Sequence, residues 1–172
     1  MTAPAAPLLA RASGIALCLT DCDGVLTDAG VYYTSAGDEL KRFSIRDGMG
    51  VALLRGVGVD VGIVSGENSL PLLARADKLR IEERHLGISD KLATVEDIRR
   101  RRGLEAHQVA YIGDDVNDLA VLRAVGLAGA PSDAVAEVRA AAHLVVDAPG
   151  GHGAFRAFAD FIVFAKRGED GR

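Results

Sequence analysis

Short apolar runs alternate along this chain with longer segments in which apolar residues recur at helical spacing. The short runs are rich in Val, Ile, Leu and Ala, which is typical of strands buried on both faces of a sheet. The pattern predicts strands at residues 15–19, 59–64, 81–86, 109–112, 126–128 and 143–146, and helices at residues 47–56, 68–78, 89–102, 116–125, 133–141 and 155–166. Strands that alternate with helices pair in parallel through right-handed crossovers. We therefore expect an α/β protein with a doubly wound, mainly parallel sheet.

Local signals refine this pattern at one hairpin and at two helix starts. Residues 31–33 and 39–43 flank the turn-rich residues 34–38, which predicts a small β-hairpin. We interpret this hairpin as a flap over the polar residues that end the first strand. Asp47 and Ser89 are the expected N-caps, since short polar side chains accept hydrogen bonds from the first amides of a helix.

Size and composition favour one domain in the cytoplasm. The chain has 172 residues, 49% of them hydrophobic, which suffices for one well-buried core and is short for two. We therefore expect a single domain over residues 1–172. Residues 1–13 lack the basic start of a signal peptide and are expected to be a loose tail. No segment is long and apolar enough to cross a bilayer, so we expect a soluble, cytoplasmic protein without a membrane partner.

Charge and cysteine content argue against other classes of protein. The net charge of −4 disfavours a nucleic-acid surface, and the basic residues 99–102 end a predicted helix, where cations complement the helix dipole. Cys18 and Cys22 are the two cysteines, and Cys18 lies in an apolar strand. We expect both to be reduced and packed in the core rather than to bind a metal or form a disulfide.

Polar side chains suited to chemistry follow the predicted strands. Asp21 and Asp23 come after the first strand, and Ser65 comes after the second. Asp114 follows a later strand, and Lys91 lies near the start of the helix that precedes it. Because the carboxyl ends of parallel strands share one edge of a sheet, these residues are expected to converge there.

Phosphoryl transfer is the chemistry that such a group supports. Carboxylates gathered at one edge repel each other unless a divalent cation lies among them, and oxygen ligands alone select Mg²⁺. Asp21 can attack phosphorus, while Asp23 can protonate the leaving oxygen and then deprotonate the hydrolytic water. Ser65 and Lys91 can hold the phosphate oxygens. The pattern therefore predicts a Mg²⁺-dependent phosphatase.

Four segments resemble, in order, the motifs of the haloacid dehalogenase superfamily of phosphatases. They are residues 21–28 (DCDGVLTD), Ser65-Gly66, Lys91 and residues 113–118 (GDDVND). The resemblance implies a Rossmann-like fold, a phosphate contact from Gly66, and metal ligands from Asp21, the Asp23 backbone carbonyl and Asp114. It also implies that Asp115 and Asp118 orient Lys91 and the metal shell.

The rest of the chain resembles one branch of that superfamily, in which the cap over the active site is small. The hairpin followed by residues 41–48, and the glycine-rich residues 150–156, resemble phosphatases of 2-keto-3-deoxy sugar-acid phosphates. The resemblance implies a flap in place of a large cap domain. It also implies a homotetramer, in which a neighbour's surface helps to close the site.

The residues that bear on the choice of sugar acid disagree. Glu67 resembles the nonulosonate 9-phosphate phosphatases, whereas Arg46 with Asp47 resembles the octulosonate 8-phosphate type. His152 stands where an arginine is often found. Glu67 and Arg46 are thus candidate substrate-binding residues, with a solvated charge beside a helix start as the alternative for Arg46. The choice between eight and nine carbons stays open.

Two other functions compete with this interpretation. Receiver domains of signalling systems also combine a phospho-accepting Asp, Mg²⁺, a Ser/Thr and a Lys on a doubly wound sheet. Their acid pair lies on the first strand, whereas Asp114 and Asp115 come last here, which disfavours a phospho-accepting signalling domain. A catalytically silent interaction protein on the same fold is the second alternative, and the full set of reactive groups disfavours it.

Overall fold

A six-stranded sheet forms the centre of the protein. The computed structural model describes residues 6–37 and 39–168. The strands are β1 Leu17–Thr20, β2 Tyr32–Tyr33, β3 Glu39–Leu40, β4 Asp60–Val64, β5 Glu83–His85, β6 Val109–Ile112, β7 Leu127–Ala130 and β8 Leu144–Val145. The helices are α1 Ala6–Ser13, α2 Ile45–Gly56, α3 Leu70–Lys78, α4 Lys91–Arg101, α5 Leu119–Leu122, α6 Ala136–Ala141 and α7 Ala154–Arg167. The sheet order is β5-β4-β1-β6-β7-β8, with all neighbours parallel, which confirms the predicted α/β fold.

Alternate residues of the central strand β1 supply two apolar cores, one on each face of the sheet. Cys18 joins a cluster with residues of α1, α2, α3 and α7, whereas Leu17 and Leu19 join a cluster with residues of α4, α5 and α6. All of β1 is buried, as expected for a strand covered on both faces. The burial of apolar surface stabilises the folded protein by about 25 cal/mol per Å². The packing of β1 on both faces therefore holds the loop that follows it at the middle of the sheet's carboxyl edge.

The predicted hairpin is confirmed. It pairs Tyr32 with Leu40 and Tyr33 with Glu39 in antiparallel register. Asp38, part of the predicted turn, lies outside the described residues. In the part of the chain that the structure describes, no larger cap domain accompanies this hairpin, and no helix is long and apolar enough to span a membrane.

The expected loose tail is wrong for residues 6–13, which form α1; residues 1–5 lie outside the described part of the chain. Leu8 and Ala12 pack on the core that α7 shares, and the Arg11 guanidinium donates to the Gly126 carbonyl at 3.0 Å. A helix this short is marginal in isolation and shows little periodicity in sequence. Its tertiary contacts stabilise it.

Two helix starts also differ from the prediction. α2 is capped by Ser44 rather than by Asp47, and α4 by Asp90 rather than by Ser89. The Asp47 carboxylate instead accepts a hydrogen bond from the Arg156 amide, at 2.8 Å, in the first turn of α7. Several polar residues precede each helix, and packing decides which of them becomes the cap.

Candidate active site

The loop after β1 brings two carboxylates to the carboxyl edge of the sheet. The Asp21 amide donates to the Ile112 carbonyl at 3.0 Å, which extends the pairing of β1 with β6 by one residue. The Cys22 carbonyl accepts amides of the following turn, and Gly24 adopts a φ of 78°, a left-handed conformation that favours glycine. Asp21 and Asp23 thereby line a cavity, while Cys22 is buried in the core.

This cavity, of about 210 Å³, opens at the ends of β1, β4 and β6. Its lining residues are Asp21, Asp23, Ala29, Ser65, Gly66, Glu67, Asp114, Asp115 and Asn117. The structure thus brings together most of the predicted site residues, and it adds Ala29 and Asn117, which the sequence patterns did not single out. Arg46 and His152 are exposed and do not line the cavity.

Three carboxylates meet beside the cavity. Asp21, Asp114 and Asp118 each place one oxygen within 4.8 Å of the others. One oxygen of Asp118 accepts from Lys91 Nζ at 2.7 Å and from Tyr111 Oη at 2.6 Å, and two backbone amides donate to the other oxygen. Asp118 is therefore occupied with protein donors. Asp21 and Asp114, whose carboxylates line the cavity, keep lone pairs for a hard cation.

The electrostatics of these carboxylates fit a divalent cation. Burial raises the pKa of Asp21 from 3.8 to about 7, with the charge of Asp118 adding to the shift and Lys91 opposing it. Burial also raises the pKa of Asp114 from 3.8 to about 7, with the charges of Asp21 and Asp118 contributing. Buried acids of like charge ionise together only at a cost. Mg²⁺, which prefers oxygen ligands, fits between Asp21 and Asp114.

Lys91, the first residue of α4, fixes the Asp21 carboxylate. Its Nζ lies 2.7 Å from Asp21 Oδ2 and 2.7 Å from Asp118 Oδ1. Burial lowers the pKa of Lys91, but the charges of Asp21 and Asp118 outweigh this effect, so the pKa lies above its ordinary value and the amine stays charged. The buried Ser65 lines the cavity, and its Oγ accepts the Glu67 amide at 3.3 Å. Asp21 thus has a buried ammonium group on one oxygen and shares the cavity with the Ser65 hydroxyl.

Asp114 lies directly against the backbone of the first loop. A Cβ placed on Gly24 would be 1.9 Å from Asp114 Oδ2. On the other side, a Cβ on Gly150 would be 2.0 Å from the Gly24 carbonyl oxygen. The close approach of three loops therefore requires glycine at both positions.

Asp115 lines the cavity beside Asp114, and its part in orienting the metal shell stays a prediction. It is exposed, and its carboxylate accepts the Val116 amide at 2.7 Å, where it caps the 3₁₀ turn Val116–Asp118. This turn replaces the start of the helix predicted over residues 116–125. The contact with Lys91 comes from Asp118, which is fully buried.

Lys41, the residue directly after the hairpin strand β3, was not identified as a site residue from the sequence. Its Nζ lies 2.9 Å from Asp23 Oδ1 and 2.7 Å from Asp23 Oδ2, and its side chain is 1% exposed. Thr27 Oγ1 also donates to Asp23 Oδ1, at 3.1 Å. No spacing in the sequence links a hairpin lysine to an acid 18 positions away. The nearest signal is its place beside the predicted flap.

A larger cavity, of about 330 Å³, lies at the amino ends of β4 and β5. Four of its charged side chains already have partners within the protein: Arg55 donates to the Leu79 and Arg80 carbonyls, and Arg102 pairs with Glu83 and Asp60. These groups are already satisfied, so the smaller cavity at the opposite edge is the candidate active site.

Fold and site together define a hydrolase of the haloacid dehalogenase-like class. A family model described as haloacid dehalogenase-like hydrolase matches residues 86–158. The 3-deoxy-D-manno-octulosonate 8-phosphate phosphatase KdsC of Yersinia pestis is 38% identical over 159 residues, which cover 92% of this chain and 85% of the relative. The chain therefore belongs to the family of the KdsC phosphatases, which are phosphoric monoester hydrolases.

Solved structures of this family superimpose closely on the protein. The crystal structure of 3-deoxy-D-manno-octulosonate 8-phosphate phosphatase from Moraxella catarrhalis, in complex with a magnesium ion, a phosphate ion and a KDO molecule, has a TM-score of 0.91 at 32% identity, covering 93% of this chain and 92% of that chain. The cobalt-bound form of the Haemophilus influenzae phosphatase has a TM-score of 0.87 at 37% identity, covering 91% of each chain. The small antiparallel hairpin and the parallel sheet are thus features of the family.

Proposed function

We propose that this protein hydrolyses 3-deoxy-D-manno-octulosonate 8-phosphate with Mg²⁺, through an aspartyl-phosphate on Asp21. The placement of Asp21 carries this proposal: its carboxylate lines the cavity, is held by Lys91 at 2.7 Å, and lies beside Asp114 in the acid cluster. Several relatives that share this fold are octulosonate 8-phosphate phosphatases, and one of them is solved with magnesium, phosphate and KDO.

The chain's own residues divide the reaction into two displacements. Asp21 attacks phosphorus, the bond from phosphorus to the sugar oxygen breaks, and Asp23 in its protonated form gives its proton to that oxygen and becomes a carboxylate. Asp23 then accepts a proton from the water that attacks the aspartyl-phosphate, which releases inorganic phosphate and restores Asp21. Ser65, Gly66 and Lys91 hold the phosphate oxygens. Mg²⁺ bound by Asp21, the Asp23 carbonyl and Asp114 would neutralise phosphate charge during both steps.

The nucleophile is tested with Asp21→Asn, which removes the attacking oxyanion with little change in size. We expect phosphate release from octulosonate 8-phosphate at saturating Mg²⁺ to fall by at least about 10³-fold. Asp28→Asn is the matched control, because Asp28 lies in the same loop but its carboxylate accepts the Gly30 amide. Wild-type turnover by Asp21→Asn would exclude a covalent mechanism on this residue.

A nine-carbon substrate is the second candidate, because Glu67 lines the cavity. We expect kcat/KM for octulosonate 8-phosphate to exceed that for nonulosonate 9-phosphates and for hexose phosphates, measured as phosphate release. A preference for a nonulosonate 9-phosphate would transfer the proposal to that substrate. A preference for hexose phosphates would exclude both sugar acids and leave the phosphatase class intact.

We also propose a homotetramer, in which apolar side chains of the hairpin lie at a subunit contact. Tyr32 and Leu40, which pair across the hairpin, are 65% and 58% exposed, and Tyr33, the neighbour of Tyr32, is 73% exposed. Exposed apolar side chains concentrated on one small element are typical of an interface. Light scattering measures the assembly directly. Substrate contact by Arg46, any contribution of His152 to a neighbouring site, the single domain and the cytoplasmic location stay predictions.

A further inference from the structure

A chain of ionic contacts joins the hairpin to the carboxylate of Asp23. Lys41 Nζ contacts both oxygens of Asp23, at 2.9 and 2.7 Å, and Glu39 Oε1 at 3.2 Å. The same Glu39 oxygen accepts Ser69 Oγ at 3.0 Å, and Ser69 caps α3. The contacts therefore run from the loop after β1, through the hairpin, to the helix that follows the Ser65-Gly66 loop.

Lys41 is more deeply buried than Asp23, which reaches the cavity. The Lys41 side chain is 1% exposed, whereas that of Asp23 is 24% exposed and lines the cavity. An ammonium group buried to this degree requires anionic partners, and Asp23 and Glu39 supply them. Lys41 thus contacts the Asp23 carboxylate from the protein interior, and Asp23 stays accessible from the cavity.

An unrestrained aspartate turns about two side-chain torsions, and proton transfer needs heavy atoms within about 2.6–3.2 Å of each other. Contacts on both Asp23 oxygens, with Thr27 as a further donor to Oδ1, select one orientation of this carboxylate. The hairpin supplies the decisive contact.

We infer that Lys41 is a positioning residue, which holds the Asp23 carboxylate in the orientation needed for proton transfer to the leaving sugar oxygen. The inference rests on the proposed role of Asp23 as general acid and base. It assigns the hairpin a direct part in leaving-group departure, through a residue that does not itself touch the transferred phosphorus.

The leaving group provides the test, since a phenolate departs with little help from an acid and a sugar alkoxide does not. With Mg²⁺ at saturation, Lys41→Met should reduce kcat/KM, which reports the first displacement and not the shared hydrolysis of the aspartyl-phosphate, by about 10- to 100-fold on octulosonate 8-phosphate but by less than about 3-fold on p-nitrophenyl phosphate. Asp23→Asn should show the same selectivity, and the double variant should be no slower than Asp23→Asn. Lys41→Arg should recover most of the lost rate.

Lys166→Met is the matched control. Lys166 lies in the last turn of α7 and donates to the Ser13 carbonyl, at the opposite edge of the sheet from Asp21, so both substrates should keep wild-type rates. If Lys41→Met does not fold, the same pair of substrates is measured with Lys41→Gln, whose side chain is shorter and uncharged and cannot hold Asp23 as an ion pair. Either variant of Lys41 that slows both substrates equally, or neither of them, would overturn the inference.

Failure of the inference can be told apart from failure of the proposed function. If Asp23→Asn discriminates between the two substrates and the Lys41 variants do not, the positioning role of Lys41 alone is wrong. If Asp23→Asn lowers kcat/KM equally for both substrates, the acid role of Asp23 is wrong, and the role of Lys41 falls with it.

Discussion

Gly24→Ala should displace the Asp114 carboxylate and weaken Mg²⁺ binding while the fold is kept. The alanine Cβ would be 1.9 Å from Asp114 Oδ2 and 2.3 Å from Asp114 Cγ, whereas real Cβ contacts essentially never fall under 3.0 Å. The Asp114 carboxylate must therefore move by about 1 Å or more. Since Mg²⁺ requires ligand oxygens at about 2.0–2.1 Å in near-ideal octahedral geometry, a displacement of this size removes Asp114 from the metal.

The assay is a Mg²⁺ titration of phosphate release from octulosonate 8-phosphate. We expect the Mg²⁺ concentration for half-maximal activity to rise by more than about tenfold, and kcat at saturating Mg²⁺ to fall by about 10²-fold, because catalytic groups misplaced by about 1 Å lose about that much. Gly58→Ala separates this effect from backbone strain. Gly58 has a φ of 75° against 78° for Gly24, but no atom lies within 4 Å of its added Cβ.

Both variants carry the cost of a left-handed alanine, about 1–2 kcal/mol of stability. Gly58→Ala should therefore match Gly24→Ala in this part of the stability loss while keeping wild-type Mg²⁺ dependence. Wild-type Mg²⁺ dependence in Gly24→Ala would refute the reasoning, because it would mean that Asp114 can leave its place against the loop without loss of the metal.

Two further outcomes follow from the charges around the site. The pKa values of Asp21 and Asp114 are about 7 in the folded protein, above the ordinary value of 3.8. Between pH 3.8 and about pH 7 the folded protein without metal therefore binds more protons than the unfolded chain. Its stability should fall as the pH rises through this range. Thermal unfolding at pH 5 and pH 8 in EDTA checks this, and added Mg²⁺ should restore the midpoint at pH 8; equal midpoints in EDTA would contradict it. Tyr111→Phe removes the 2.6 Å hydrogen bond to Asp118 and should cost about 1.5–3 kcal/mol in urea unfolding, with kcat reduced less than about tenfold. An unchanged unfolding midpoint in urea would show that this hydrogen bond adds no net stability.

Much of the fold could be predicted because its signals are local. Strand β6 has the predicted bounds, residues 109–112, since a short Val- and Ile-rich run before Gly113 has few other conformations that bury it. Helix starts were less certain. Ser44 and Asp47 are both suitable N-cap residues for α2. Ser44 is the N-cap in the structure, because the Asp47 carboxylate accepts the Arg156 amide of α7 instead.

The candidate site divides in the same way. Asp21, Ser65 and Asp114 were predicted from their places after strands, and the parallel sheet brings them to one cavity. Lys41 was missed because a lysine in a hairpin is ordinarily solvated, and only the folded hairpin shows that it is buried against Asp23.

The sequence by itself determined that the protein has a parallel sheet, and it identified the polar residues that follow the strands. These features could be predicted because the spacing of apolar residues, and the residues at the end of a strand, are properties of short segments. Only the tertiary structure decided which of those carboxylates bind protein donors and which are left to bind a cation. Asp118 is filled by Lys91 and Tyr111, whereas Asp114 is pressed against Gly24 with oxygens left for a cation. Such assignments depend on distances between segments far apart in the chain, and on the low dielectric that burial creates around them.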